Sequence, residues 1–243
     1  MCSSVLVEFC EQLRELLERD TMQEQVIAEG QKLLRKLVGQ RDWIQTIMTR
    51  FVLDQEFLDT QRPVIDPNDI TLFFSPDRLF SVRAFIWEPG VSYPIHDHGA
   101  WGMIGAFINP LGERRYKRVD DGTDPDRAQV EMIGQTILSP GETTFVLPLD
   151  DGIHEMWNPT DQEAISIHVY GKPVRKGYIN HFDPKTNTAQ RVYSPKNMTK
   201  TLVIKALGFI NEPWAREVLN DALEKPNPEY IWQECRYALR HIK

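Results

Sequence analysis

Cysteine is scarce in this sequence, and the chain also lacks long apolar runs and an excess of basic residues. Three cysteines occur in 243 residues, at Cys2, Cys10 and Cys235, and all three fall in segments with helical periodicity near the two ends. An odd, sparse set does not build a disulfide framework. We therefore expect a protein of the reducing cytoplasm.

Acidic residues outnumber basic ones by 35 to 28, which gives a formal net charge of -7 at pH 7. Nucleic acid and anionic membranes both attract clustered Lys and Arg, so neither is expected as a partner. No apolar run is long enough to span a membrane, and the early acidic residues Glu8, Glu11 and Glu15 are unlike a signal peptide. Hydrophobic residues make up 41%, which is enough to build a sizeable core.

The pattern of apolar residues changes twice along the chain. Residues 1–69 show helical spacing, residues 70–195 form short segments broken by Gly, Pro, Asp and Asn, and residues 196–243 are again helical. No linker separates these sections, so we predict one domain over 1–243. The predicted strands are 79–87, 102–108, 113–119, 128–135, 142–147, 164–170 and 178–183. The predicted helices are 3–19, 22–38, 41–53, 197–207, 212–224 and 228–241.

Two histidines stand one residue apart in the segment Pro94–Gly99, after a Pro-Gly turn. On a strand, residues i and i+2 share a face, so His96 and His98 can reach one point inside a barrel while Asp97 points away. Imidazole is a good ligand for divalent iron, nickel, copper and zinc. The pair therefore predicts a metal site, and a hydrogen-bonded strand pair without a metal is the alternative.

A third histidine, His154, follows a predicted strand and the turn at Asp150–Gly152. A turn of this kind can return a side chain to the same barrel interior. Taken alone, His154 fits a loop histidine better than a ligand. Together with His96 and His98 it completes a predicted three-histidine metal site.

A third polar pattern lies in the strand predicted at 164–170. Alternation places Ser166, His168 and Tyr170 on one face and apolar residues on the other. A hydroxyl, an imidazole and a phenol in a row can relay a proton, with Ser166 orienting His168 and His168 bonding Tyr170. The alternatives are a half-polar strand with an incidental histidine, and His168 as a fourth metal ligand.

The histidine segments resemble the two motifs of the cupin family. The run from Gly90 through five residues to His96 and His98 resembles the first motif, and Gly141–Asn158, which contains His154, resembles the second with looser spacing. This resemblance implies a mainly β protein: a cupin double-stranded β-helix barrel with N- and C-terminal helices packed on it.

The first motif departs from the usual cupin pattern, because Gly102 and Met103 stand where a glutamate ligand is usual. This loss resembles the thiol dioxygenases, such as cysteine dioxygenase and 3-mercaptopropionate dioxygenase, which bind iron(II) through three neutral histidines. The row Ser166–Tyr170 matches that family residue for residue. Met103 falls about where animal enzymes carry a cysteine crosslinked to tyrosine, so Tyr170 stays uncrosslinked, as in the bacterial branch, and Met103 is expected on the substrate wall.

The resemblance implies Fe(2+) as cofactor on His96, His98 and His154, with a small thiol and dioxygen as partners. The thiol would lose its proton at the cation and end as a sulfinate carrying both oxygen atoms. Ser166, His168 and Tyr170 would be the catalytic residues, with Tyr170 positioning the substrate. A monomer or a homodimer is expected.

The substrate anchor is less clear from the sequence. Family members hold the substrate carboxylate with an Arg or Gln upstream of the histidine pair, and Asp69–Phe73 offers neither. Trp87 resembles a family residue on the active-site wall, and alternation from it puts Arg83 on the same inward face. An Arg inside a barrel needs an anion, so we expect Arg83 to bind a substrate carboxylate. An outward-facing Arg83 is the alternative, and Arg175 is a second candidate.

Other features predict no chemistry. The charged run Glu113–Arg118 indicates a solvated hairpin, although one face of it can enter the barrel mouth. His181 and His241 lack ligand spacing and are taken as structural. The rival functions are another three-histidine cupin enzyme, such as a carbon–carbon dioxygenase, isomerase or decarboxylase, and a non-catalytic ligand-binding cupin.

Overall fold

The computed structural model describes residues 3–19, 22–59, 61, 66, 68–210 and 212–242, without the side chains of residues 196 and 199. These residues form two compact units, described separately below. One comprises Met1–Arg62, Asp66–Arg175 and Ile179–Gln190, and the other Pro63–Ile65, Lys176–Tyr178 and Arg191–Lys243. Whether the two units act as one domain stays a prediction, and Cys2 lies outside the described residues.

The first unit begins with helices whose buried positions follow the predicted helical spacing. They are α1 (Ser4–Leu17), α2 (Gln23–Val38), α3 (Gln45–Leu53) and α4 (Gln55–Asp59), with a 3-10 turn at Asp42–Ile44. The side chain of Ser3 caps α1 by accepting a hydrogen bond from the Leu6 amide at 3.3 Å. Leu6, Phe9 and Leu13 are buried on one face of α1. The α1–α3 boundaries agree with the predicted ones to within a few residues.

Eleven strands occur in the described residues, and eight pairs of neighbouring strands among them are antiparallel. They are β1 (Asp69–Phe74), β2 (Phe80–Trp87), β3 (Ile95–His96), β4 (Gly102–Ile108), β5 (Leu111–Arg118), β6 (Val130–Leu138), β7 (Thr143–Val146), β8 (His154–Trp157), β9 (Ala164–Gly171), β10 (Tyr178–Asp183) and β11 (Thr188–Tyr193). All seven predicted strands are present. Strands β1, β3, β8 and β11 were not among those predicted.

The strand order shows how the barrel is wound. One sheet has the order β1-β2-β9-β4-β7 and the other β11-β10-β3-β8-β5-β6. From β3 to β10 the chain crosses from one sheet to the other after β3, β4, β6, β7, β8 and β9, so the two sheets are built together as the chain winds. This is the double-stranded β-helix of cupins, with helices at both ends of the chain, and the predicted fold class is confirmed.

The five-stranded sheet is buried on both faces. Its outer face carries Val82, Met103 and Val169, which share a core with Leu13 and Leu34 of the N-terminal helices. Its inner face carries Phe85, Ile104 and Val146, which share a second core with Met156 of the six-stranded sheet. The expected packing of the N-terminal helices on the barrel is therefore confirmed.

Helix α2 comes close to β4 because of a glycine. A Cβ added at Gly105 would lie 2.9 Å from Val38 Cγ1, which is too close for a real contact. Any larger residue at 105 would push α2 away from the sheet and open the outer core. The glycine thus sets the spacing between this helix and the barrel.

The second unit has its own core. It contains α5 (Pro195–Leu207), α6 (Pro213–Glu224) and α7 (Glu229–His241), close to the predicted helices. Buried Glu234 accepts hydrogen bonds from Arg191 and, at 2.6 Å, from the Tyr193 hydroxyl. Cys10 in the first unit and Cys235 here are buried. None of the described helices is long and apolar enough to cross a membrane.

Candidate metal centre

The three predicted histidine ligands meet at one point. His96 lies on β3 directly opposite His154 of β8, and His98 follows two residues after His96. All three side chains are buried, and one ring nitrogen from each lies within 4.8 Å of the others. The ring centroids are 4.6 to 4.9 Å apart. The predicted three-histidine group is therefore confirmed, and it can hold a divalent metal ion.

Backbone hydrogen bonds keep the histidine segment extended beyond the short strand β3. The Asp97 amide donates to the Asn180 carbonyl at 3.1 Å, and the His98 carbonyl accepts from the Leu149 amide at 2.8 Å. Extended backbone through Asp97 is what turns His96 and His98 to the same side. The i, i+2 spacing of the two histidines thus brings their side chains together because the backbone between them is extended.

The outer ring nitrogens of two ligands are tied to acceptors. His96 Nδ1 donates to the Pro94 carbonyl at 2.9 Å, and His154 Nδ1 donates to Glu113 Oε1 at 2.9 Å. Each ring therefore carries its proton on Nδ1 and turns the lone pair of Nε2 inward. Burial lowers the pKa of His96 and His98 well below the ordinary value, so these rings are neutral at pH 7.

The arrangement passes a simple test of fit for a metal. His98 Nε2 lies 2.9 Å from His154 Nε2. Two nitrogens bound at right angles to one ion, each at about 2.1 Å, would be about 3.0 Å apart. The donor set of three neutral imidazoles suits iron, nickel, copper and zinc alike, so it supports a metal site without choosing among these ions.

Glu113 is a site residue that the sequence reasoning missed. It lies on β5, is 2% exposed, and accepts hydrogen bonds from His154 Nδ1 and, at 2.7 Å, from the Thr144 hydroxyl. Burial opposes ionisation, but these hydrogen bonds and the Arg115 guanidinium outweigh it, so the pKa of Glu113 lies below its ordinary value. The signal in the sequence was the apolar residue Leu111 two positions earlier. Alternation along a strand places residues 111 and 113 on the same face, and Leu111 is buried in the structure.

Replacing Glu113 with Gln should weaken metal binding by about 10- to 100-fold, because the carboxylate orients His154 and makes it more basic. Competition against a chelator under anaerobic conditions measures this affinity. Glu131→Gln on β6 is the matched control, since its side chain is 64% exposed and pairs only with Lys117 at 3.8 Å among the described residues. Equal affinities for the two variants would contradict the assigned role of Glu113.

Asp97, between the two histidines, anchors their segment through its hydrogen bonds to Arg175 and Asn180. Its fully buried carboxylate accepts two hydrogen bonds from the Arg175 guanidinium, one at 2.7 Å, and two from the Asn180 amide groups at 2.8 and 2.7 Å. This bidentate ion pair ties the loop after β9 and strand β10 to the ligand segment. The prediction of Arg175 as a substrate contact is thus corrected, because its guanidinium is bound by Asp97, a residue that alternation turns away from His96 and His98.

The polar row on β9 forms as predicted. Ser166 Oγ lies 2.7 Å from His168 Nε2, and His168 Nδ1 lies 3.0 Å from the Tyr170 hydroxyl. The Tyr170 ring stacks on the ligand His98, with centroids 5.5 Å apart. Because both ring nitrogens of His168 are engaged within the row, the alternative of a fourth metal ligand is wrong.

Trp87 and Met103, which were both predicted to line the substrate site, lie on opposite faces of the five-stranded sheet. Trp87 is buried on the inner face, and its Nε1 donates to Ser166 Oγ at 2.9 Å, so it borders the row. Met103 is also buried, but it faces α2, where a Cβ at Gly30 would lie 2.7 Å from its sulfur. The prediction of Met103 as a substrate residue is wrong, because alternation along β4 turns Gly102 and Ile104 inward instead.

Arg83 faces inward, as expected. It lies opposite His168 in the β2–β9 register, so the two side chains share the inner face. Its guanidinium forms a salt bridge with Asp69 of β1, and its side chain is 25% exposed. The protein itself therefore supplies an anion beside Arg83, and binding of a substrate carboxylate there stays a prediction.

No known protein-family model matches the chain. Among solved structures, a Cupin 2 conserved barrel domain protein from Salinispora arenicola is 21% identical, over 49% of this chain and 84% of that chain, with a TM-score of 0.32. A similar protein from Rhodopseudomonas palustris is 12% identical over 52% and 73%, with a TM-score of 0.36. An oxalate oxidase bound to the substrate analogue glycolate is 17% identical over 47% and 55%, with a TM-score of 0.34. These structural neighbours are cupin-domain proteins, and identities this low say nothing about the reaction.

Proposed function

We propose that this protein is an iron(II)-dependent thiol dioxygenase that converts a small carboxylate-bearing thiol, cysteine-like or 3-mercaptopropionate-like, to its sulfinate. The observation that carries the proposal is the row Ser166–His168–Tyr170, which ends against His98 of the three-histidine group. A ligand set without a carboxylate leaves the full charge of a dipositive ion to bind a thiolate. Arg83 on the inner face is the proposed carboxylate contact.

The proposed reaction balances without any further reactant. The S–H bond breaks and its proton passes to a sulfinate oxygen, two S–O bonds form, and the O–O bond breaks, so RSH and O₂ give RSO₂H. Sulfur loses four electrons and dioxygen gains four. Iron(II), when bound to the three imidazoles, would supply the coordination positions and electron transfer that bring thiolate and dioxygen together.

The hydrogen bonds of the row run in one direction. The Trp87 indole can only donate, so it occupies one lone pair of Ser166 Oγ, and in the proposed arrangement the Ser166 proton goes to His168 Nε2. His168 then carries its own proton on Nδ1 and donates it to the Tyr170 oxygen. The Tyr170 proton is left free to point away from the row, toward a substrate beside His98.

The groups of the row stay neutral at ordinary pH. Burial, together with the Asp69 charge, raises the pKa of Tyr170 above its ordinary value, so the phenol keeps its proton. Burial also lowers the pKa of His168 well below the ordinary value. Tyr170 therefore acts as a hydrogen-bond donor that positions a thiolate or oxygen and does not compete with it for the cation.

The setting of the reaction is also proposed. A thiol substrate and a sequence with three cysteines in 243 residues suit the reducing cytoplasm. The acidic composition favours a small-molecule substrate over nucleic acid or a membrane surface. A monomer or a homodimer would serve this chemistry equally well.

Oxygen uptake tests the proposed function directly. Protein loaded with iron(II) under anaerobic conditions should consume one dioxygen per thiol and release the sulfinate when cysteine or 3-mercaptopropionate is added. The same protein loaded with zinc is the control, because zinc has no redox chemistry and should give no uptake. Stoichiometric iron binding without oxidation of any thiol would instead favour another three-histidine cupin enzyme or a ligand-binding cupin.

A further inference from the structure

A second polar group lines the same inner face, and we call it the acidic wall: Asp66, Asp69, Arg83 and Tyr93. Asp69 lies opposite Phe85 in the β1–β2 register, and Phe85 lies opposite Ser166 in the β2–β9 register. Directly paired residues share a face, so the Asp69 side chain points into the barrel with Ser166. Its side chain is only 3% exposed.

One oxygen of Asp69 has no partner. Oδ2 accepts from the Arg83 guanidinium, whereas Oδ1 is buried and accepts no hydrogen bond from the described part of the chain. Buried carboxylate oxygens are almost always hydrogen-bonded. An orphan acceptor on the inner face points to a donor that arrives with a ligand.

The charge of the wall favours a cation. It holds two carboxylates, Asp66 and Asp69, against the one guanidinium of Arg83, and Tyr93 donates its hydroxyl proton to Asp66. Burial raises the pKa of both carboxyls, that of Asp69 to about 6, and the opposing effects of Arg83 and, for Asp66, of the Tyr93 hydrogen bond offset this only in part. A cationic ligand would complete this balance.

The acidic wall borders the space in front of the histidine group. The Tyr93 ring packs edge-on against the ligand His96 at 4.8 Å between centroids. Tyr170 stacks on His98, and burial and, after it, the charge of Asp69 raise the pKa of Tyr170. A small molecule held at the three histidines would therefore lie between the metal site and this wall.

We infer that the thiol substrate carries an ammonium group and that Asp69 Oδ1 accepts a hydrogen bond from it. This inference rests on the proposed thiol oxygenation and narrows its substrate class. An ammonium supplies both the missing donor and the missing positive charge. Asp69 is then a specificity residue for the amino group, and Arg83 remains available to a carboxylate on the same molecule.

Cysteine and 3-mercaptopropionate make a matched pair, because they differ only in the amino group. The iron-loaded protein should show a kcat/KM about 10- to 100-fold higher for cysteine, as expected for one charge-assisted hydrogen bond. Asp69 also holds Arg83, so Asp69→Asn can change kcat/KM for both thiols, but it should remove the preference by lowering the value for cysteine about 10- to 100-fold more than that for 3-mercaptopropionate. Asp161→Asn, at an exposed loop position, is the matched control and should keep the preference.

Anaerobic calorimetric titration of the same two thiols compares their binding without turnover. Tighter binding of cysteine that is lost in Asp69→Asn supports the inference, even where no thiol is oxidised and the oxygenation proposal alone fails. Equal or tighter binding of 3-mercaptopropionate by the unsubstituted protein overturns the inference while leaving thiol oxygenation standing. Because that comparison uses the unsubstituted protein, it does not depend on the folding of the variant.

Discussion

Replacing His154 with Ala is expected to abolish both iron binding and thiol oxidation. His154 supplies one of three imidazole donors that lie within 4.8 Å of one another, and its Nε2 is 2.9 Å from that of His98. Two remaining imidazoles hold a divalent ion far more weakly, and the carboxylate of Glu113 would lose the ring that it orients. Metal analysis after anaerobic loading and desalting, followed by oxygen uptake, measures both effects.

His241→Ala is a suitable control for that experiment. His241 lies at the end of α7 in the second unit, and its Nδ1 donates to the Tyr237 carbonyl at 2.9 Å. This variant should retain the iron content and activity of the unsubstituted protein. An iron content in His154→Ala equal to that of the control would contradict the three-histidine site.

Replacing Tyr170 with Phe is expected to lower kcat by about 100-fold or more while leaving iron binding intact, the scale on which a positioned proton donor contributes. The phenol is the end of the row from Trp87, and in the proposed direction of the hydrogen bonds its proton points toward the site. Its ring would still stack on His98 in the variant, so the metal ligands should keep their positions. Steady-state kinetics with cysteine and iron analysis separate the two effects.

Tyr237→Phe tests whether loss of any tyrosine hydroxyl has the same consequence. Tyr237 lies on α7 and packs against His241 at 4.5 Å between ring centroids. Its replacement should leave kcat unchanged. If Tyr170→Phe kept full kcat as well, the row would be a structural feature of β9 without a part in the reaction.

The strand β9 shows how the barrel serves stability and chemistry at once. Ser166, His168 and Tyr170 face the interior, while Ile167 and Val169 are fully buried against the helix-covered side. Hydrophobic packing on the outer face holds the strand rigidly, and a rigid strand keeps the polar row in register with the metal ligands. Substitutions on the outer face should therefore affect activity mainly through folding.

Local periodicity accounts for what the sequence could predict. The i, i+2 spacing of His96 and His98 and the alternation of Ser166–Tyr170 are properties of any extended strand, so they survive into the structure. Helical spacing likewise placed α1, α2 and the three C-terminal helices within a few residues. The position of His154 beside the pair did not follow from spacing alone, because a turn does not by itself fix the direction of the next side chain.

Long-range pairing accounts for what could not be predicted. Arg83 was placed on the correct face, but its anion Asp69 comes from β1, which was not predicted as a strand. Arg175 pairs with Asp97, a residue 78 positions away, and the sequence contains no local sign of it. Met103 was judged by its distance from His98, and the strand that contains it turns its side chain to the helices.

Isotope labelling tests most directly the claim that three imidazoles hold an ion which oxygenates sulfur. Iron-loaded protein is mixed with cysteine under ¹⁸O₂, and the product is analysed by mass spectrometry. We expect a sulfinate in which both oxygen atoms carry the heavy label. Formation of a disulfide, or of a product whose oxygen comes from water, would contradict the proposed reaction.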